Sequence, residues 1–191
     1  VDLAAHEGYP GHHVYNLLLE SNLAKKRNWV EFKVYALFSP QSLIAEGTAN
    51  YGIAVAFPGD QRIKFEKEVL FPLAGLNPDD ANLYYKVLSI QKRFSYSGNE
   101  AARNYLNGNW TREQTVAWLQ KNALRTKDSA DKYVSFIEKY RSYVINYNLG
   151  MDIVKDYIER NGGTESNPEK LWQLFEYLLS TPQTPSGLIK K

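Results

Sequence analysis

All three histidines of this 191-residue chain lie in one eight-residue stretch close to its start. The stretch is His-Glu-Gly-Tyr-Pro-Gly-His-His, from His6 to His13. Imidazole is a preferred ligand of zinc and similar divalent metals, and a neighbouring glutamate is the usual partner for activating a metal-bound water. These residue types at this density predict a hydrolytic metal centre, and a histidine-rich helix start without metal is the alternative interpretation.

The spacing of the histidines departs from the familiar helical motif H-E-x-x-H. In an unbroken helix His6 and His13 would share a face but lie about 10.5 Å apart along the axis, too far for one zinc with bonds of about 2.0–2.1 Å. Pro10 lacks a backbone donor and Gly11 permits unusual dihedral angles, so a regular helix cannot continue here. If these two residues form a bulge, His12 takes the place of the second motif histidine. His13 then lies beside the ligands or on the substrate side and is not itself a ligand.

A catalytic zinc site usually has three protein ligands and one open position, so a third ligand must come from elsewhere. Glu46 is the best candidate, because it falls inside a predicted helix among small and apolar residues, where an unpaired carboxylate is costly. A Glu46 that faces solvent is the alternative. Glu7 leaves the helix about 100° away from His6, which predicts a general base rather than a ligand; a plain surface charge is the alternative.

Hydrophobic spacing and capping residues predict helices along nearly the whole chain. Residues 29–38 are ambiguous between strand and helix, and the tail from Thr181 is predicted as loop. Thr111 and Gln114 form a predicted capping box. The predicted helical segments are 1–9, 12–27, 41–57, 61–73, 78–107 with an interruption near 97–98, 111–124, 130–160 with a weak point at Gly150, and 168–179. We therefore expect an all-α fold, an irregular helical bundle of about 7–9 helices, with residues 1–191 forming a single helical domain.

Composition excludes several classes of partner. A net charge of +2 without a basic cluster gives no support for nucleic-acid binding, and no apolar run approaches the roughly 20 residues of a membrane span. The absence of cysteine rules out disulfides and cysteine-ligated metal. Because the chain starts at Val1, just before its richest motif, we expect a fragment of a longer protein. The compartment stays open, with a cell envelope or periplasmic location among the alternatives.

Three blocks of this sequence resemble the bacterial family catalogued as domain of unknown function 885, whose members are mostly helical and zinc-peptidase-like. The first block is the stretch 6–13, the second is Glu-Gly-Thr-Ala-Asn-Tyr at 46–51, and the third is 110–114 followed by 147–150. The resemblance covers most of the chain and implies a gluzincin-like catalytic part. It implies His6, His12 and Glu46 as ligands of one zinc ion (Zn2+) and Glu7 as base. Family members are much longer, which implies that this chain is their C-terminal part.

Further residues are candidates to act around the metal. Tyr147 lies in the third block, and a phenol can donate to a developing oxyanion; a core or surface aromatic residue is the alternative. Tyr51 and His13 are expected beside the ligands or the substrate. Arg103 and Arg141 are candidates to bind a substrate carboxylate through two hydrogen bonds, although each can equally be a surface charge.

The function predicted from these observations is zinc-dependent hydrolysis of a peptide bond, carboxypeptidase- or dipeptidase-like, with the N-terminal part of the parent protein completing the cleft. Two alternatives stay open. The first is a non-catalytic helical module that binds a metal or a peptide, and the second is another metal-dependent hydrolase, an amidase or esterase.

Overall fold

The computed structural model describes residues 1–189, and within them the chain is helical with no β-strand. Eight of the α-helices described have eight residues or more, which confirms the predicted all-α fold and the predicted helix number. In chain order the α-helices are α1 (Asp2–Glu7), α2 (His12–Leu19), α3 (Gln41–Ala56), α4 (Gln61–Phe65), α5 (Phe71–Leu73), α6 (Ala81–Lys92), α7 (Ser95–Leu106), α8 (Arg112–Asn122), α9 (Lys127–Tyr140), α10 (Leu149–Arg160), α11 (Pro168–Ser180) and α12 (Pro185–Leu188). Short 3-10 helices occupy Val30–Lys33, Pro78–Asp80 and Arg141–Asn146, and π-helical turns occupy Glu20–Lys25 and Glu66–Leu70.

The contacts within the chain define two compact units. The first consists of residues 1–64 together with the described residues from 146 onward, and the second consists of residues 65–145. The single helical domain expected from the sequence stays a prediction, because two units with separate contacts can still unfold together.

The first unit has a large apolar core around α3, to which α2, α10, α11 and α12 each contribute. Its fully buried members include Ile44 on α3, Ile158 on α10 and Phe175 on α11. Leu188 of α12 also lies in this core, so the tail from Thr181 is only partly loop and the prediction of a loop throughout was wrong. This core packs around α3, and α3 carries the predicted third ligand.

The second unit packs α7, α8 and α9 together through the buried residues Ala101, Leu119 and Val134. The predicted capping box is confirmed, since Thr111 accepts from the backbone of Gln114 while the Gln114 side chain accepts from the backbone of Thr111.

Two predicted helix interruptions were placed wrongly. The break expected near residues 97–98 lies at residues 93–94, and the break expected at Gly150 lies at residues 141–148, before α10 begins. Gly98 and Gly150 both lie inside helices. Each glycine lets another part of the chain approach its helix closely. A Cβ on Gly98 would lie 2.6 Å from the Tyr133 hydroxyl, and a Cβ on Gly150 would lie 2.6 Å from the Leu43 carbonyl oxygen.

Within residues 1–189 no helix combines the length and the hydropathy that a membrane crossing requires, as the sequence predicted.

Candidate metal centre

Three side chains from α1, α2 and α3 converge on one point of the first unit. The Nε2 atoms of His6 and His12 lie 3.1 Å apart, and the Oε2 atom of Glu46 lies 3.3 Å from the first and 3.5 Å from the second. The two imidazole rings meet edge to face, with 4.6 Å between centroids and 86° between planes. We call these three residues the His–His–Glu cluster. Within the described residues it is a group whose ligand atoms lie close enough together to hold a metal ion.

The distances within the cluster fit a divalent metal. Ligand atoms at two corners of a tetrahedral zinc site with bonds of about 2.0–2.1 Å lie about 3.3–3.4 Å apart. The three observed separations of 3.1, 3.3 and 3.5 Å bracket that value. The centre of the triangle that they form lies about 1.9 Å from each corner, so all three atoms can be at bonding distance from one ion. Two neutral imidazoles and one carboxylate are also a donor set that catalytic zinc sites use.

A tight turn between α1 and α2 brings the two histidines together. The helix ends at Glu7, the chain turns through residues 8–11, and α2 begins at His12. Gly11 lies so close to α1 that its N–H donates to the Ala5 carbonyl at 3.0 Å, and a Cβ at this position would overlap the His6 carbonyl oxygen. The change of direction predicted at Pro10 and Gly11 is thus a four-residue turn, which is longer than the two-residue bulge predicted from the sequence.

The turn also rests on α3. Pro10 is buried, and its Cγ lies 3.0 Å from the position that a Cβ on Gly52 would occupy. The Tyr9–Pro10 peptide bond is cis. The contact of Pro10 with Gly52 positions the turn against α3, the helix that carries Glu46. The two histidines and the carboxylate are thus positioned by the same helix.

Glu46 lies inside α3 and its side chain is only 8% exposed. Its neighbour Gly47 faces Gly150 of α10, where a Cβ on either residue would overlap the backbone of the other helix. The two helices therefore approach each other more closely than side chains would allow. Burial of a carboxylate beside two imidazoles is the arrangement expected for a group that is paired with a charge or a metal.

Asn50 connects His6 to the start of α10. Its Oδ1 lies 3.0 Å from Nδ1 of His6, and its Nδ2 donates to the Tyr147 carbonyl oxygen at 2.8 Å. Asn50 lies four residues after Glu46, so both side chains project from the same face of α3. Asn50, one helical turn after the ligand Glu46, thus contacts the imidazole of the ligand His6.

The electrostatic surroundings of His6 favour its charged form. The nearby Glu46 carboxylate raises the pKa of the His6 imidazole above its ordinary value, and burial partly opposes that effect. Asn50 and the charge of Glu7 act in the same direction as Glu46. These surroundings therefore favour a positive charge on the His6 ring.

Glu7 and His13 flank the cluster, and both are exposed. Glu7 is the last residue of α1, directly after His6, and His13 is the second residue of α2, directly after His12. The structure places neither among the three converging ligand atoms.

The two predicted tyrosines differ in burial. Tyr51 lies in the core of the first unit, only 6% exposed, and burial raises its pKa to about 12. Tyr147 is 38% exposed, and its backbone carbonyl accepts the hydrogen bond from Asn50. The roles predicted for the two phenol groups stay predictions.

Arg103 and Arg141 both belong to the second unit and are exposed. Arg103 pairs with Glu100 at 2.6 Å on α7. Arg141 ends α9 with a positive φ of 52°, an unusual backbone conformation for a residue with a side chain. Their predicted role in binding a substrate carboxylate stays a prediction.

Comparisons with models of protein families, with curated proteins and with solved structures found no match for this chain. The residues of the cluster and their geometry therefore carry the functional inference.

Sequence reasoning missed Asn50 and the carbonyl of Tyr147. The spacing of Asn50 from Glu46 could have identified it, because residues four apart on a helix share a face. No pattern in the sequence shows that a backbone carbonyl faces this site, since that depends on how closely α10 packs against α3.

Proposed function

We propose that this chain binds one zinc ion through His6, His12 and Glu46 and uses it to hydrolyse peptide bonds. The observation that carries the proposal is the convergence of three ligand atoms at separations of 3.1, 3.3 and 3.5 Å. The resemblance of three sequence blocks to zinc-peptidase-like proteins supports the peptide as substrate.

The number of ligands favours catalysis over a purely structural role. Structural zinc sites are usually closed by four protein ligands, whereas catalytic sites have three and keep one position open. The cluster supplies three, and its histidine side chains keep 15% and 21% of their surface exposed. Solvent can therefore reach the cluster, as an open metal position requires.

Zinc, when bound, supplies a Lewis acid that polarises a carbonyl oxygen and lowers the pKa of water. His6 and His12 contribute neutral imidazole nitrogens, and the Glu46 carboxylate balances part of the charge. Glu7 follows His6 directly, and we assign to its carboxylate the removal of a proton from the attacking water and its delivery to the leaving amine nitrogen. In this scheme the phenol of Tyr147 donates to the developing oxyanion.

The metal assignment is tested by zinc content and affinity in His6→Ala and Glu46→Ala. Each variant should lose stoichiometric zinc, because one of three ligands has been removed. Glu176→Ala is the matched control for Glu46, because Glu176 is an exposed glutamate of the same unit on α11. Full zinc in both ligand variants would contradict the assignment.

The catalytic assignment is tested by Glu7→Gln, with zinc content and peptide turnover measured on the same preparation. The variant should keep zinc and lose turnover by about 10²–10⁴-fold, the usual contribution of a general base. Glu176→Gln should leave both unchanged. Turnover of esters or simple amides but not of peptides would support the other class of hydrolase. Zinc binding by the wild type without turnover of any substrate would support the non-catalytic module.

A further inference from the structure

We propose that Asn50 is a positioning residue that holds His6 in the tautomer required for metal binding, and that α10 keeps Asn50 in place. The proposal rests on the zinc site proposed above. It assigns a role to the asparagine inside the second sequence block and a backbone role to Tyr147 in the third.

The orientation of the Asn50 carboxamide follows from its two partners. A backbone carbonyl is an acceptor only, so the group that faces the Tyr147 carbonyl at 2.8 Å must be the Nδ2 donor. The Oδ1 acceptor must then face His6, where it lies 3.0 Å from Nδ1. The reversed carboxamide would place two acceptors against each other at Tyr147.

The orientation of Asn50 decides where His6 carries its proton. An amide oxygen can only accept, so a neutral His6 that offers Nε2 to a metal carries its hydrogen on Nδ1 and donates it to Asn50. Nε2 of the same ring is then unprotonated, and its lone pair faces Nε2 of His12 and Oε2 of Glu46. Metal-ligating histidines usually have such a partner on the second ring nitrogen, because it fixes both the tautomer and the ring orientation.

The position of the Tyr147 carbonyl depends on how α10 begins and packs. Asn148 caps this helix by accepting from the Leu149 N–H at 2.8 Å. Two residues further along α10, Gly150 meets Gly47 backbone to backbone. This close approach holds the residue before the cap against α3, within reach of Asn50. The third sequence block therefore supports the cluster through its main chain and its glycine.

The first test is the zinc affinity of metal-free protein, measured by competition with a chromophoric chelator. Asn50→Ala should bind zinc about 10–100-fold more weakly than wild type, the usual effect of removing a hydrogen-bond partner of a ligand. Asn50→Asp keeps an accepting oxygen and should bind at least about tenfold more tightly than Asn50→Ala. Asn161→Ala is the matched control, because Asn161 also donates to a helix carbonyl, that of Tyr157 at 2.7 Å, and should bind like wild type. Equal weakening in Asn50→Ala and Asn50→Asp, or wild-type affinity in Asn50→Ala, would overturn the proposal.

The second test measures the tautomer directly and needs no metal. Long-range 1H–15N spectra of the His6 imidazole in metal-free protein, at a pH high enough for the ring to be neutral, report which nitrogen carries hydrogen. Oε2 of Glu46 competes for a hydrogen on Nε2. Nδ1 should therefore carry the hydrogen in a larger share of His6 rings in wild type and in Asn50→Asp than in Asn50→Ala, where Glu46 is the acceptor that remains. An unchanged His6 tautomer in Asn50→Ala would overturn the role of Asn50. A wild type that shows the expected tautomer but binds no zinc would instead contradict the proposed function.

Discussion

The segment from α1 to α2 and the helix α3 bring residues to the same centre by different means. The segment supplies His6 and His12 through a turn in which Gly11 touches the end of α1. The helix supplies Glu46 and Asn50 through regular geometry, since residues four apart share a face. The first arrangement depends on a backbone approach that only glycine permits, whereas the second depends on helix geometry that most residues can adopt.

The difference shows where the cluster is sensitive to substitution. In the segment, the positions of two ligands depend on the backbone of one residue that is not a ligand. In α3, most positions carry a side chain, and the backbone contact between Gly47 and Gly150 of α10 is where an added Cβ would overlap the neighbouring helix. Gly11→Ala in the segment and Gly150→Ala at the contact between α3 and α10 therefore compare the two arrangements through the same chemical change.

The largest effect is expected from Gly11→Ala. The added Cβ would overlap the His6 carbonyl oxygen and lie 2.5 Å from the Ala5 carbonyl oxygen, so the turn must open and His12 must move away from His6. We expect zinc affinity to fall by on the order of 100-fold or more, an effect that approaches that of removing a ligand. The free energy of unfolding should fall by about 1–3 kcal/mol. Chelator competition and thermal unfolding with and without zinc measure the two effects.

Gly162→Ala is the control for the turn. Gly162 also lies in the first unit and has a φ of +89°, but a Cβ there would meet nothing within 4 Å. This variant should lose about 1 kcal/mol of stability through backbone strain and keep its zinc affinity. If Gly11→Ala bound zinc as tightly as Gly162→Ala, the turn would not position the histidines.

A smaller effect is expected from Gly150→Ala, which disturbs the helical side. The new Cβ would lie 2.6 Å from the Leu43 carbonyl oxygen and would separate α10 from α3. Stability should fall by about 1–3 kcal/mol through overpacking. Zinc affinity should fall by about tenfold, because the Tyr147 carbonyl moves away from Asn50 while all three ligands remain. If Gly150→Ala lost more zinc affinity than Gly11→Ala, the cluster would depend more on the contact between α3 and α10 than on the turn between α1 and α2.

The smallest effect is expected from His13→Ala, on the segment side. His13 is exposed and lies outside the cluster, so zinc affinity should stay within about threefold of wild type, as for most exposed substitutions. His12→Ala, one residue away, should lose stoichiometric zinc. The opposite order in metal titrations of the two variants would mean that the turn presents the other histidine to the metal.

Local patterns in the sequence were sufficient to predict much of the helical structure. The Thr111 capping box was predicted because its two partners lie three residues apart. The all-α class followed from hydrophobic spacing repeated along the chain. The burial of Glu46 was also anticipated, from the small and apolar residues on either side of it.

Features that depend on tertiary packing were not predictable in the same way. Gly150 was predicted to weaken a helix, but it serves the close approach to α3. Gly98 was predicted to interrupt a helix, but it makes room for Tyr133 inside one. A glycine that ends a helix and a glycine that permits packing are identical in a sequence, and only the neighbouring element distinguishes them. The spacing of Asn50 from Glu46 indicates a shared helix face, but its two partners lie 44 and 97 residues away along the chain, so its contacts depend on tertiary packing.

The central claim is that one zinc ion is held by two imidazoles and one carboxylate, and X-ray absorption of the zinc-loaded protein tests it most directly. We predict one ion per chain with a first shell at about 2.0–2.1 Å that contains two imidazole nitrogens, with oxygen at the remaining positions. The outer-shell scattering of imidazole should correspond to two rings in wild type and in His13→Ala, whereas His12→Ala should bind less than one zinc per chain. A first shell of oxygen alone, three imidazoles, or less than stoichiometric zinc in the wild type would contradict the account.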